Sequence, residues 1–219
     1  MNITHSKEEV IVGDKLVAVF ERQQELMDKY HHIEARSGLM QTGDCPVNIN
    51  DKRGQARLKD FAWRLTEELG EALDTYYEHD CEQDNLHFQE ELVDGLHFFT
   101  EMTILAGFTP IMLLDGHEPL PNEDILDFMF NQVYEYTDSI PVATTQFIRQ
   151  LSMTCNTLKN KPWKQTQMVT DKNEFKRRLI LSWARYIGIL KASGLDAEMT
   201  AMLYLKKSQV NKFRQRTNY

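Results

Sequence analysis

Glu67-Glu68-Leu69-Gly70-Glu71 and Glu90-Glu91-Leu92-Val93-Asp94, the two ends of residues 67–94, decide how this chain is read. Each string is an acidic residue followed three places later by another. Residues three apart share one face of an α-helix, so Glu68 and Glu71 point together, as do Glu91 and Asp94. A single such pair is ordinary solvated helix surface, because Glu is a good surface helix former. Two pairs with Leu69, Gly70, Leu92 and Val93 between the acids place the acidic faces near a helix contact. Antiparallel packing of two such helices gathers four carboxylates, an arrangement that repels itself when empty and is stabilised by a hard divalent cation. The spacing therefore predicts a metal site at Glu68, Glu71, Glu91 and Asp94, with Mg²⁺ the natural ion and Mn²⁺ its substitute.

Working outward, apolar residues recur at helical spacing through most of the chain, which predicts an all-α bundle and one domain over residues 1–219. Expected helices run from about Lys7 to His32, Gln55 to Glu78, Leu86 to Leu105, Asn122 to Thr137, Pro141 to Lys159, Lys172 to Ala192 and Asp196 to Phe213. Gly107 and Pro110 stop the third, and Ser193-Gly194 followed by the Asp196 cap separates the last two. The stretch with Gly43, Pro46, Asn48, Asn50, Asp51 and Gly54 reads as a loop and a candidate mobile lid, and residues 158–171 as a second loop. Trp63, Trp163 and Trp183 are expected as core or loop anchors.

Composition narrows the partners. The 219 residues carry a formal net charge of −8, which argues against general nucleic-acid binding. The charge is uneven: residues 159–219 hold 14 basic and 4 acidic side chains, so the end of the chain suits a small polyanion and the earlier part suits cations. No apolar run is long enough for a membrane span, and MNITHSKEEV lacks the apolar segment of a signal peptide, so a cytoplasmic location is expected. Cys45, Cys81 and Cys155 are odd in number and far apart, matching reduced thiols and neither a disulfide framework nor a zinc site.

At the acidic strings the chain resembles the all-alpha nucleoside triphosphate pyrophosphatases, the MazG-like superfamily, whose pattern is EExxE, a spacer, then ExxD. ELVDGLHFF, ending at Phe99, looks like the dimeric dUTPase and phage dCTPase/dUTPase branch, with His97 three residues after the last acid. Gln23-Gln24-Glu25-Leu26-Met27-Asp28 is similar to the QxxLxD element of that branch. The ending from Tyr204 to Tyr219 is similar to YLxKNxxNxFRQxxGY, departing at Ser208 and Asn218, and it is the most specific part of the match.

The resemblance implies Mg²⁺-dependent hydrolysis of dUTP, and of dUDP, with water attacking the α-phosphorus of dUTP to give dUMP and pyrophosphate. It implies a homodimer, and host cytoplasm if the source is a virus. Glu71 is the candidate that orients or deprotonates the water. Lys207 and Arg214, seven apart on one helix face, are candidates for the phosphates, with Tyr219 and Lys164 as further ones. By family analogy Gln23 and Asn211 read the base, since an amide offers both a donor and an acceptor, and His97 lies near base or sugar. The alternatives are a dCTP-preferring, dual dCTP/dUTP or other deoxynucleotide pyrophosphatase, a di-iron bundle, for which only Asp94-Gly95-Leu96-His97 comes close, and a helical scaffold without chemistry.

Overall fold

The computed structural model describes residues 11–78, 85–133 and 139–216. Among them are seven α-helices and a 3₁₀ turn, and no strand, so the all-α expectation holds. The helices are α1 (Lys15–Ser37), α2 (Lys52–Glu78), α3 (Asn85–Leu105), α4 (Ile125–Gln132), α5 (Ile140–Thr157), α6 (Lys172–Ala192) and α7 (Ala197–Arg216), with the 3₁₀ turn at Pro110–Leu114.

Five of the helices begin at an aspartate whose carboxylate accepts from backbone N–H groups that the first turn leaves unpaired. Asp14 caps α1 at Val17, Asp51 caps α2 at Arg53 and Gly54, and Asp124 caps α4 at Asp127. Asp171 caps α6 at Asn173 and Glu174, and Asp196 caps α7 at Met199. The first cap corrects the sequence reading: α1 starts at Lys15, not Lys7, because Gly13 takes a positive φ of 97° and Asp14 opens the helix behind it. It also runs on to Ser37, where Gly38 closes it in the left-handed conformation. The fourth helix is shorter than expected, since Asn122 has φ 70° and Asp124 is the cap. The expected end at Thr137 and the residue Cys81 lie outside the described residues.

α2 and α3 pack antiparallel. Phe61 meets Phe98 at 6.3 Å between ring centres, and further along Tyr76 meets Phe88 at 5.8 Å. α5 and α6 form a second antiparallel pair, with Gln146 beside Arg185 and Thr154 beside Ser182. α1 and α7 close over α3. The core between these layers is centred on Phe99, whose ring meets those of Phe147, Trp183 and Tyr186, all four buried. Trp183 is the core anchor expected of it, whereas Trp63 and Trp163 are 63% and 78% exposed.

The loop before α2 is anchored in its second half. Val47 is buried and donates its amide to Leu105 O at 2.8 Å, and the Asn50 side chain accepts from the Thr170 amide. The lid expectation therefore does not apply to Val47–Asn50. The loop over 158–171 is held to the same region, because Asn160 bonds to Asn50 and Met168.

Candidate active site

The antiparallel α2/α3 pair brings Glu68, Glu91 and Asp94 together, so that one carboxylate oxygen from each lies within 4.8 Å of the others. Gly95 permits this approach: a Cβ there would stand 2.5 Å from the Tyr186 hydroxyl and 3.5 Å from Glu68 Cβ. The Tyr186 hydroxyl donates to Leu92 O at 2.6 Å, tying α6 to the turn of α3 that carries the acids. Glu67, the neighbour in sequence, is exposed and accepts from Trp63 Nε1 outside the cluster. Glu71 is exposed at the rim, outside the tight group, but its charge still bears on Glu68 and Glu91.

Three acids in partial burial hold their protons longer than free ones. Burial first, then the charges of Asp94, Glu71 and Glu91, pushes Glu68 up to about 7. Burial and Asp94 raise Glu91, and burial raises Asp94 in spite of its contact with Lys207 Nζ at 2.6 Å. Half-buried oxygen donors that repel one another are the donor set a hard divalent cation relieves, and they fit Mg²⁺ or Mn²⁺.

A stability prediction follows with a definite sign. Glu68 releases its proton near pH 7 in the fold and near 4.5 when unfolded, so between these values the folded state binds more protons. Stability of the metal-free protein is therefore expected to fall as pH rises through that window. The Glu68 share is about 1–2 kcal/mol after allowance for solvent screening. Urea denaturation at pH 5 and pH 8 with chelator checks it against Glu68→Gln, which should flatten the profile. Millimolar Mg²⁺ at pH 8 should restore the wild-type protein; an unchanged midpoint with metal contradicts the site.

From the acids a cleft of about 340 Å³ runs between α1, α2, α3 and α7. Glu68 and Asp94 line one part, His97, Gln23 and Glu101 the inner part, and Asn211 and Arg214 belong to the α7 side. The structure thus assembles most of the residues singled out from sequence in one cleft. His97 does not join the acid cluster. Its ring stacks on Tyr204 at 3.8 Å and its Nδ1 meets Gln23 Oε1 at 3.0 Å, and burial drives its pKa down to about 3, so it is neutral. With no histidine in the acid cluster, the ligand pattern of a di-iron bundle is missing among the described residues. Lys164 is exposed on the α5–α6 loop and does not line this cleft, and Tyr219 lies outside the described residues.

Sequence reasoning missed a second polar group in the cleft, to which Glu34, Arg64 and Glu101 contribute and behind which Arg57 is buried. Glu101 is buried and raised to about 7, chiefly by burial. Arg57, only 2% exposed, bonds to Glu34 at 3.0 Å, and Arg64 bonds to the same carboxylate at 3.1 Å. Both guanidinium groups lie over the Phe61 ring. A signal for Glu101 was present, since Asp94, His97 and Glu101 follow at i, i+3 and i+7 on one helix face.

Comparison with known proteins bears directly on this cleft. A family model described as dUTPase matches residues 15–219, nearly the whole chain. No curated protein and no solved structure matches. With seven helices, no strand among the described residues, and that match, the chain belongs to the all-α dUTPase family and is a dUTP diphosphatase.

Proposed function

We propose that the chain, folded as one domain, hydrolyses dUTP to dUMP and pyrophosphate, and also accepts dUDP, using Mg²⁺ held by Glu68, Glu71, Glu91 and Asp94. The observation that carries this reading is the three-carboxylate cluster opening into a cleft whose inner part ends on a buried amide and a neutral imidazole. A divalent cation held there would supply charge neutralisation for the phosphates and make an attacking water more acidic. The rest falls to side chains of this chain. Glu71, exposed at the rim beside the cluster, orients the attacking water and takes its proton. Lys207 reaches the cluster from α7 and balances charge where the phosphates arrive, and Arg214 adds a planar donor pair on the same helix. Gln23 and Asn211 meet the base, with His97 packed beside them. Mn²⁺ substitutes for Mg²⁺ in a site made of oxygen donors. A homodimer, a cytoplasmic location, which is host cytoplasm for a viral source, and a role in nucleotide pools complete the proposal.

The test is pyrophosphate release from dUTP, dCTP, dTTP, dATP and dGTP with Mg²⁺. Release from dUTP that stops on chelation and returns with Mg²⁺ or Mn²⁺ is expected. Release led by dCTP transfers the reading to a dCTP-preferring enzyme, and silence across the panel from folded, metal-loaded protein ends the pyrophosphatase reading.

A further inference from the structure

Gln23 is buried and its side-chain amide is held on both ends. Nε2 donates to Glu101 Oε2 at 2.8 Å. Oε1 accepts from the Tyr204 hydroxyl at 2.6 Å and faces His97 Nδ1 at 3.0 Å. Glu101, Tyr204 and His97 are themselves buried, and the His97 and Tyr204 rings stack, which fixes their edges. A solvated glutamine swaps its oxygen and nitrogen by half a turn about its last torsion. With Glu101 ionised, that turn sets Gln23 Oε1 against its carboxylate, two acceptors with no hydrogen between them, and breaks the bond from Tyr204 as well. Leaving a buried polar group unsatisfied is costly, and more so when it is charged. In the observed orientation Oε1 accepts from Tyr204 and, with His97 in its Nδ1–H tautomer, from the imidazole too, whereas Nε2 carries two hydrogens and Glu101 takes one. What remains for a ligand in the cleft is an N–H.

We propose that Glu101, with Tyr204 and His97, is a positioning residue that fixes the polarity of the Gln23 amide. The site thereby offers a pyrimidine a hydrogen-bond donor and selects a carbonyl-bearing edge over an amino-bearing one. The inference rests on the reading of Gln23 as the residue that meets the base. Uracil carries a carbonyl at C4 where cytosine carries an amino group, so a fixed donor aimed there bonds the first and opposes the second. Glu101 acts through Gln23 and need not touch the base.

Glu101→Gln tests this. The substitution keeps the shape but installs an amide that can turn, so it can meet Gln23 in either orientation; it also ends the 4.0 Å ion pair with Arg57, which keeps its bond to Glu34. The ratio of kcat/KM for dUTP over dCTP is expected to fall about tenfold or more, the equivalent of one well-made hydrogen bond. The fall should come through a raised KM for dUTP, with dCTP turnover maintained. Tyr204→Phe, which removes one anchor of Oε1, shifts the ratio the same way by less. A structural role alone lowers both substrates in parallel and leaves the ratio unchanged, and that result overturns the proposal. Calorimetric binding of dUMP and dCMP to wild type and Glu101→Gln separates this inference from the reaction itself. Preference for dUMP in wild type that is lost in Glu101→Gln, in a protein that turns over neither triphosphate, upholds the amide lock and ends the hydrolase reading. Equal binding of both nucleotides by wild type, or binding of neither, overturns the lock even where hydrolysis stands.

Discussion

Glu68→Gln is expected to lower kcat for pyrophosphate release from dUTP by about 10³-fold, roughly 4 kcal/mol of barrier, while leaving the metal-free protein more stable than wild type. The two effects have one cause. Glu68 is the acid most strongly perturbed in the cluster, raised first by its half-burial and then by the charges of Asp94, Glu71 and Glu91. Removing its charge relieves repulsion among the clustered acids and, on the proposed assignment, takes one oxygen donor from the divalent cation. Opposite signs in activity and stability separate this outcome from misfolding, which lowers both. The control is its neighbour: Glu67→Gln should stay near wild-type activity, because Glu67 is exposed and tied to Trp63 Nε1 outside the cluster. Steady-state kinetics and urea melts on the two variants decide it. A Glu68→Gln protein with ordinary turnover at saturating Mg²⁺ removes Glu68 from the metal ligands. Equal losses in the two variants would assign the defect to α2 as a helix instead of to one carboxylate.

That adjacent glutamates differ so sharply shows where sequence is legible and where it stops. The i, i+3 spacing reveals which acids share a face, since helix geometry is local, and the structure gathers Glu68, Glu91 and Asp94 accordingly. Helix ends set by local chemistry were legible too: α6 spans the expected Lys172–Ala192, and Asp196 caps α7 after Gly194. The α1 start is not, because Val10 continues the apolar spacing ahead of Gly13, whereas the positive φ of Gly13 and the Asp14 cap set where the helix begins. Long-range partners were invisible. Arg57 lies mid-helix, where sequence assigns an arginine to solvent, yet it is buried because Glu34 on α1 reaches it from 23 residues away. Glu101 reads as one more helix acid until α1 delivers Gln23 to it across 78 residues. The two helical tryptophans make the same point, since nothing local distinguishes the buried Trp183 from the exposed Trp63.

Trp183→Ala is expected to cost about 3–5 kcal/mol, a large part of the roughly 5–15 kcal/mol that a domain of ordinary stability possesses. Trp183 is 1% exposed, stacks on Phe99 at 4.6 Å and on Phe20 at 6.3 Å, and donates Nε1–H to Thr103 Oγ1 at 3.0 Å. It therefore joins α6 to α1 and α3 at one point, and truncation leaves a cavity that three helices must close together. Trp183→Phe separates packing from the hydrogen bond. It keeps most of the ring contact, and Thr103 Oγ1 still donates to Phe99 O, so its cost should be about 1–2 kcal/mol. Urea midpoints at constant m-value measure both. The consequence reaches the site, because Phe99 stands on the helix that carries Glu91, Asp94 and His97, and Tyr186, one turn from Trp183, bonds to Leu92 between the acids. Loosening this contact lets α3 move against α2, so dUTP turnover in Trp183→Ala should fall with warming well below the wild-type inactivation temperature. If Trp183→Ala instead loses less than about 1.5 kcal/mol, the α1/α3/α6 junction closes on itself without the indole. The position of α3, and with it the spacing of the acids, is then held by its contacts with α2, α1 and α7.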